Sequence, residues 1–174
     1  ETGVVWSSFG PAQFVTSDIN SYIPGEYIEV TGVWKNNSYI KLFLDGILVS
    51  ESPTNQSYDI NHSLEFGRLS YDNEITEHLK GDIHRVAFWD IELTESEINL
   101  ISNLDEIPNE NNLVGNWRIN SGYGNIVYDH SGNRNHGTIH GAEWVENIYG
   151  CIDEYACNYS EDADFDDGSC EYNS

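Results

Sequence analysis

Residues 39–49, YIKLFLDGILV, decide the fold class of this chain. An Asp-Gly pair at positions 45 and 46 separates two apolar runs. It predicts a two-residue β-hairpin, because both central residues of a type I′ turn need positive φ. In the first run, Ile40, Leu42 and Leu44 occupy alternate positions, so they share one face of a strand and should point into a core. Residues 27–34 alternate in the same way, and the whole stretch therefore predicts an antiparallel sheet.

Outside the hairpin, short runs of strand character recur between turn residues, at the spacing of a β-sandwich. One helix interrupts them, because Thr94 and Glu97 form a capping box, and we expect it to end near Asn103. Four apolar residues fall at helical spacing on one face: Leu93, Ile98, Ile101 and Leu104. The further predicted strands cover residues 63–69, 81–89, 113–119, 125–128 and 137–145.

The charge of the chain excludes several classes of partner. Thirty Asp and Glu residues against seven Lys and Arg give a formal net charge of −23. A field of this sign repels phosphates, so we expect neither nucleic acid nor an anionic membrane surface as partner. No apolar run approaches 18 residues, which predicts no insertion into a membrane. The same field attracts divalent cations, although acidity for solubility in salt is an equally good explanation of most of these carboxylates.

The composition changes at residue 149. From there to residue 174 the chain has no Lys or Arg, few aliphatic residues and all three cysteines. Such a segment cannot build a core and needs a disulfide, a metal or both. Clustered cysteines also favour an oxidising compartment and an extracellular location. We therefore divide the chain into a β-domain, residues 4–148, and a small acidic module, residues 149–174.

Four stretches together resemble the laminin-G-like, concanavalin-A-like jelly roll of bacterial secreted proteins: residues 38–46, 64–67, 81–98 and 113–137. This resemblance implies an all-β, two-sheet antiparallel jelly-roll sandwich with one short helix, followed by a disulfide-stapled C-terminal module. It covers about residues 25–145. The leading strands of the family are not visible before residue 25. Either residues 4–24 have diverged, or residues 113–145 take their place by permutation.

The C-terminal module resembles a short repeat of secreted proteins from Bacteroidetes-type bacteria, with the pattern GC…ACNY…DDGSC. Relatives of that repeat commonly keep only the outer two cysteines, which implies a Cys151–Cys170 disulfide and leaves Cys157 as the odd one. Three cysteines cannot all pair within a monomer, and sequence alone does not fix the connectivity. A Cys151–Cys157 disulfide is the alternative.

Two loops alternate oxygen-bearing side chains as Ca²⁺ sites do, since this ion takes six to eight oxygens at flexible geometry. The first set is Asp129, Ser131, Asn133 and Asn135. The second set is Asp162, Asp164 and Asp166. The alternative for the first loop is an Asx-turn network without metal, in which the side chains cap backbone amides. The alternative for the second is a solvated acidic loop.

The function that these features favour is a non-catalytic extracellular module for binding or adhesion. Tyr71 and Tyr123 are its candidate ligand residues, because an exposed ring stacks on a sugar. The carboxylate-pair signature of glycoside hydrolases is absent from the sequence. We expect a glycan or an extracellular protein as ligand, structural Ca²⁺ as cofactor, and a larger multidomain protein around this segment. A ligand-free structural spacer is the alternative, and a polysaccharide-active enzyme of the same fold is a third hypothesis.

Overall fold

A computed structural model describes most of the chain. The described residues are 5–7, 14–18, 20–54, 64–71, 74–104, 107–146, 149–161, 163, 165–166 and 168–172. Short antiparallel strands dominate them, with one α-helix, so the predicted all-β class with a single short helix is confirmed. No helix among these residues is both long and apolar enough to span a bilayer.

In the described residues, thirteen short strands and two helical segments make up the regular structure. The strands are β1 (Val5–Ser7), β2 (Phe14–Thr16), β3 (Val30–Lys35), β4 (Tyr39–Leu44), β5 (Ile47–Pro53), β6 (Arg68–Tyr71), β7 (Glu74–His78), β8 (Arg85–Trp89), β9 (Leu113–Arg118), β10 (Ile126–Val127), β11 (Gly137–Thr138), β12 (Tyr149–Gly150) and β13 (Phe165–Asp166). The helices are α1 (Glu95–Leu104) and a 3-10 turn at Glu110–Asn112. The antiparallel ladders are β1–β2, β3–β4–β5, β6–β7, β8–β9 and β10–β11, whereas β12 and β13 run parallel.

The predicted hairpin joins β4 to β5. Asp45 has φ 47° and Gly46 has φ 76°, the positive values that a type I′ turn requires. The Asp45 side chain also accepts a hydrogen bond from the backbone N–H of Glu29 at 2.9 Å, which fixes the turn against the chain entering β3. The hairpin prediction is therefore confirmed.

Both faces of the β3–β4–β5 sheet are covered. Ile40 and Leu42, with Leu44, pack with Val15 of β2 on one face, and the first two are fully buried. On the other face, Phe43 packs with the helix residue Ile98. A strand that is buried on both sides has to be apolar at nearly every position, which is why β4 is the most continuous apolar run of the domain.

The capping box places the helix that closes the second face. The Thr94 hydroxyl accepts a hydrogen bond from the Glu97 N–H at 3.3 Å, and the Glu97 carboxylate accepts the Thr94 N–H at 2.7 Å. Leu93, Ile98 and Ile101 are buried, as predicted, and the helix ends one residue beyond the expected point. The side chain of Leu104 lies outside the described residues.

Several predicted strand boundaries are wrong. The strand predicted at 63–69 is β6 and begins only at Arg68, and the one predicted at 81–89 is β8 and begins at Arg85. The strand predicted at 137–145 ends at Thr138, because Gly141 has φ 81° and the chain turns there. Beyond that turn, the Trp144 indole N–H donates to the Gly124 carbonyl at 2.8 Å, so this part folds back as a loop.

The C-terminal module is held by a disulfide between Cys151 and Cys170, the pair that the resemblance implied, and Cys157 is free and exposed. Asn158 ties the middle of the module to its C-terminal part. The Asn158 amide donates to the Ser169 carbonyl at 2.7 Å, and the Asn158 side-chain oxygen accepts the Glu171 N–H at 2.8 Å. A disulfide and side-chain hydrogen bonds thus replace the apolar core that this segment lacks.

Candidate functional site

Strand β9 is the scaffold of the candidate site. On one face, Trp117 is 5 % exposed and packs edge-on against Phe66, with ring centroids 5.2 Å apart. Gly115 lies two positions earlier on that face, and a Cβ there would lie 2.1 Å from the Trp117 ring. The glycine is therefore needed for the indole to fold over the strand. The opposite face of β9 presents Asn116 and Arg118.

The loop after β10 follows the edge of β9 that faces away from β8. Asp129 forms an isolated antiparallel bridge with Trp117, and the N–H of His130 donates to the Asn116 carbonyl at 2.7 Å. The Trp117 indole N–H donates to the Asn135 carbonyl at 2.6 Å. Residues 129–135, named here the Asp129 loop, thus cover this edge as a neighbouring strand would.

Asp129 is the centre of that loop. One carboxylate oxygen accepts the backbone N–H groups of Asn116 and Ser131, both at 2.9 Å. The other accepts the Ser131 hydroxyl and the Asn135 N–H, again at 2.9 Å. The Asp129 N–H in turn donates to Nδ1 of His136 at 3.0 Å. Four hydrogen bonds to one carboxylate hold the loop in a single shape.

The two asparagines of the loop hydrogen-bond to the first residues of β9. The Asn133 amide donates to the Leu113 carbonyl at 2.7 Å, and the Asn135 amide donates to the Val114 carbonyl at 2.8 Å. Side-chain groups therefore satisfy backbone groups that a partner strand would otherwise satisfy. Asn133 and Asn135 act here as donors, through their amide nitrogens.

The hydrogen bonds also change the acidity of Asp129. Burial raises the pKa of this carboxyl, but the hydrogen bonds from Asn116, Ser131 and Asn135 outweigh that effect and lower the pKa from 3.8 to about 2. Hydrogen bonds to the charged form favour it. Asp129 is therefore ionised at neutral pH and contributes stability through that charge.

Calcium at the Asp129 loop stays a prediction. The four predicted ligands Asp129, Ser131, Asn133 and Asn135 do lie together, but N–H and O–H donors surround the carboxylate, where Ca²⁺ would need oxygen atoms. This arrangement favours the Asx-turn alternative at the Asp129 loop. Within the described part of the chain, no group of three His, Cys, Asp or Glu side chains could hold a metal ion. Asp162 and Asp164 lie outside the described residues, as does the side chain of Asp166, so the second loop stays a prediction.

A cavity of about 490 Å³ opens beside the Asp129 loop. The cavity is half open to solvent and lies at the surface. The 3-10 turn, β9 and the start of the loop form its walls. The lining residues are Ile107, Glu110, Leu113, Asn116, Arg118, His130 and Ser131.

Asn116 is the unusual member of this lining. It is only 5 % exposed, and its side-chain oxygen has no hydrogen-bond partner. Most buried polar groups are paired, and an unpaired one costs roughly 1–3 kcal/mol. The oxygen is sealed from solvent, so this cost is paid inside the folded wall of the cavity. Sequence reasoning missed this residue, although an Asn inside the buried strand sequence LVGNWR was the available signal.

The predicted aromatic residues lie elsewhere. Tyr123 is 81 % exposed and does not line the cavity, and the side chain of Tyr71 lies outside the described residues. The indole N–H groups of Trp89 and Trp144 donate to the carbonyls of Pro108 and Gly124. These two rings therefore have structural roles.

Comparison with known proteins identifies one family. Residues 3–99, more than half of the chain, match the profile of a laminin G family described as the concanavalin A-like lectin/glucanases superfamily. The match begins well before residue 25, so β1 and β2 belong to the family domain, and it ends before β9. No curated protein and no solved structure matches the chain significantly. With this match and its antiparallel β architecture, the chain belongs to the concanavalin A-like lectin/glucanases superfamily.

Proposed function

We propose that this chain is a non-catalytic extracellular module that binds a glycan or a surface protein in the cavity beside the Asp129 loop. The observation that supports this most is the cavity of about 490 Å³, which is lined by the buried residue Asn116, whose side-chain oxygen lacks a partner. An unpaired buried acceptor lowers stability, and such costs are expected at functional sites.

Binding fits the cavity better than catalysis does. The superfamily name covers both lectins and glucanases, so membership alone does not separate the two. Glycoside hydrolysis ordinarily needs two carboxylates on either side of the scissile bond. Among the lining residues that the structure describes, Glu110 is the one carboxylate, and Asp129 behind the wall already accepts four hydrogen bonds.

Two further features support the proposal. The Cys151–Cys170 disulfide fits a protein that works outside the cell, where such bonds persist. Tyr123, at 81 % exposure, offers a ring face on which a sugar can stack, outside the cavity. Structural Ca²⁺ remains part of the proposal because of the net charge of −23 and the oxygen-rich loops.

A binding screen tests the proposal directly. The wild-type chain is applied to a glycan array and to a panel of purified cell-surface proteins, together with the variants Asn116→Ala and Asn120→Ala. Loss of this lining side chain should weaken binding of the ligand by roughly tenfold. Asn120 is exposed and does not line the cavity, so its variant should bind like wild type. Asn116 is 5 % exposed, so its truncation also costs stability, and the melting temperature of each variant is measured to separate lost binding from lost folding.

Three results would contradict the proposal. Absence of binding to any glycan or protein would favour the ligand-free spacer. Equal binding by Asn116→Ala and wild type would place the ligand elsewhere. Turnover of a polysaccharide that Glu110→Gln abolishes would establish an enzyme.

A further inference from the structure

The C-terminal module carries exposed aromatic residues that do not belong to the cavity. The Tyr155 side chain is 91 % exposed, more than any other large apolar residue that the structure describes, and that of Tyr172 is 60 % exposed. Ile152 and Tyr159 of the same module are exposed as well. Single exposed rings are common on proteins, but several within one small module are typical of a surface that contacts another molecule.

One carboxylate holds two of these tyrosines. One oxygen of Asp153 accepts the backbone N–H of Tyr155 at 2.9 Å, and the other accepts the hydroxyl of Tyr172 at 2.6 Å. Both hydrogen bonds lower the pKa of the Asp153 carboxyl, that from Tyr172 more than that from Tyr155, because they favour its charged form. The Cys157 N–H also donates to the Glu171 carbonyl at 2.8 Å and joins the same two segments of chain. The two tyrosines are therefore neighbours on a cross-linked backbone.

The surroundings of these tyrosines are acidic. Residues 149–174 contain eight Asp and Glu, whereas all seven Lys and Arg of the chain precede residue 149. Glu154 and Glu171, which adjoin Tyr155 and Tyr172 in the sequence, are both exposed. The module has no Lys or Arg of its own to offset this charge. A partner of opposite charge is therefore favoured, and the field of a chain of net charge −23 attracts it from a distance.

A tyrosine ring in such surroundings attracts a cation to its face, because the ring carries partial negative charge above its plane. The β-domain contains this pairing within the chain. The ammonium groups of Lys35 and Lys41 lie 5.4 and 4.7 Å from the centre of the Tyr39 ring. In the C-terminal module, which has no Lys or Arg, the cation has to come from outside. A neutral sugar would stack on the same rings but would make no use of the charge around them.

We propose that the C-terminal module docks an arginine-rich segment of a partner protein, with guanidinium groups on the rings of Tyr155 and Tyr172 and the surrounding carboxylates attracting the segment. The guanidinium group is planar and stacks on aromatic faces, which favours Arg over Lys. This surface shares no residue with the lining of the cavity. The proposal therefore goes beyond the proposed function and does not depend on it.

Fluorescence anisotropy at physiological ionic strength tests the proposal with two labelled peptides. One has four Gly-Arg repeats, and the other has citrulline in place of Arg, with the same planar shape but no charge. We expect the arginine peptide to bind wild type at least tenfold more tightly than the citrulline peptide. Raising the salt concentration should reduce this preference, because ions screen the attraction.

Variants that keep the net charge then locate the binding. Tyr155→Leu removes a ring and should weaken binding of the arginine peptide by roughly two- to fivefold. Tyr155→Phe keeps the ring and should bind like wild type. Tyr123→Leu is the matched control, because it removes an 81 % exposed ring from the β-domain, and it should also bind like wild type. Since Tyr155 is almost fully exposed, the module should stay folded in its variants, which hydrogen exchange checks.

Four results would overturn the assignment. Equal affinities for the arginine and citrulline peptides would show that charge is not recognised. Unchanged affinity in Tyr155→Leu, or an equal loss in Tyr123→Leu, would show that the peptide binds the acidic surface at large. Binding of a neutral glycan that depends on Tyr155, without binding of the arginine peptide, would replace the partner protein by a sugar. The cavity is tested separately, by the binding screen with Asn116→Ala.

Discussion

Asp129 controls the wall of the cavity without lining it. Its carboxylate fixes the N–H groups of Ser131 and Asn135 and, through Asn116, joins the Asp129 loop to β9. The neighbouring side chains of His130 and Ser131 thereby take their places in the lining. The position of the binding groups thus depends on the ionisation of a residue behind them.

This dependence gives a prediction for acid conditions. A carboxyl whose pKa falls on folding stabilises the protein above its unfolded pKa and loses that effect as the pH falls through the folded pKa. For Asp129 the stabilisation is present above about pH 4 and disappears towards pH 2. Its size is roughly 2 kcal/mol. Asp129→Asn removes it and also sets an amide donor against the Asn135 N–H.

Urea denaturation at several pH values measures the effect. The gap in unfolding free energy between wild type and Asp129→Asn should be constant from pH 7 to pH 4 and shrink below that. Asp82→Asn, at an exposed position, serves as the control. Parallel stability curves at all pH values would show that the charge of Asp129 contributes nothing.

At the scale of the element, each face and each edge of β9 contacts a different part of the structure. Trp117 anchors one face and Asn116 opens onto the cavity from the other, while β8 and the Asp129 loop occupy its two edges. The whole arrangement depends on one glycine. A side chain at position 115 would occupy the space of the indole.

Gly115→Ala should therefore destabilise the protein, and roughly 1–3 kcal/mol is the usual cost of overpacking. Displacement of the indole should also break its hydrogen bond to the Asn135 carbonyl, which a shift of the Trp117 indole N–H signal in NMR would report. Gly81→Ala is the matched control, since a Cβ there meets nothing within 4 Å. The double variant Gly115→Ala/Trp117→Leu should lose less than the sum of the single variants. Strict additivity would contradict the contact.

The elements that sequence predicted well are those with a local cause. The hairpin at Asp45 depends on backbone angles that two residues set, and the start of α1 depends on side chains within one turn. The strand predicted at 137–145 ends before the turn at Gly141, and beyond that turn a contact between Trp144 and Gly124, twenty residues apart, holds the chain as a loop. The Asn within LVGNWR signals a buried polar residue, but the missing partner of its oxygen is a property of the folded packing.

At the scale of the whole molecule, the net charge of −23 raises the question whether bound divalent cations stabilise the fold. Bound Ca²⁺ at a hundredfold excess over its dissociation constant stabilises a native state by about 2.7 kcal/mol. For a chain of this length, chelation with EDTA should then lower the melting temperature by roughly 5–10 °C. Asp129→Ala should abolish that sensitivity if the ion lies in the Asp129 loop, and Asp166→Ala should abolish it if the ion lies in the second loop. Identical melting temperatures in EDTA and in millimolar Ca²⁺ would contradict the calcium prediction, and hydrogen bonds alone would then account for the shape of the Asp129 loop.

The C-terminal module has almost no apolar core, so its stability must come from the disulfide and from polar contacts. The Cys151–Cys170 bond closes a loop with a sequence separation of 19, and a loop of about 20 residues is worth roughly 3 kcal/mol in the chain-entropy model. The remaining bonds are polar, such as those of Asn158 and the pair between the Tyr172 hydroxyl and Asp153. A net hydrogen bond contributes only about 1 kcal/mol, so these cannot replace the disulfide.

Cys170→Ser should therefore unfold residues 149–172 while the β-domain melts as before. Hydrogen exchange measured by mass spectrometry separates the two parts: amides of the module should lose protection and those of β3–β5 should keep it. Cys157→Ser is the matched control, because Cys157 is free and exposed and its loss should change neither part. Peptide mapping without reduction checks the connectivity in the same samples, and a dominant Cys151–Cys157 species in wild type would contradict it. Retained protection in Cys170→Ser would mean that something other than the disulfide orders the module, and a metal ion bound by its carboxylates would then be the next cause to test.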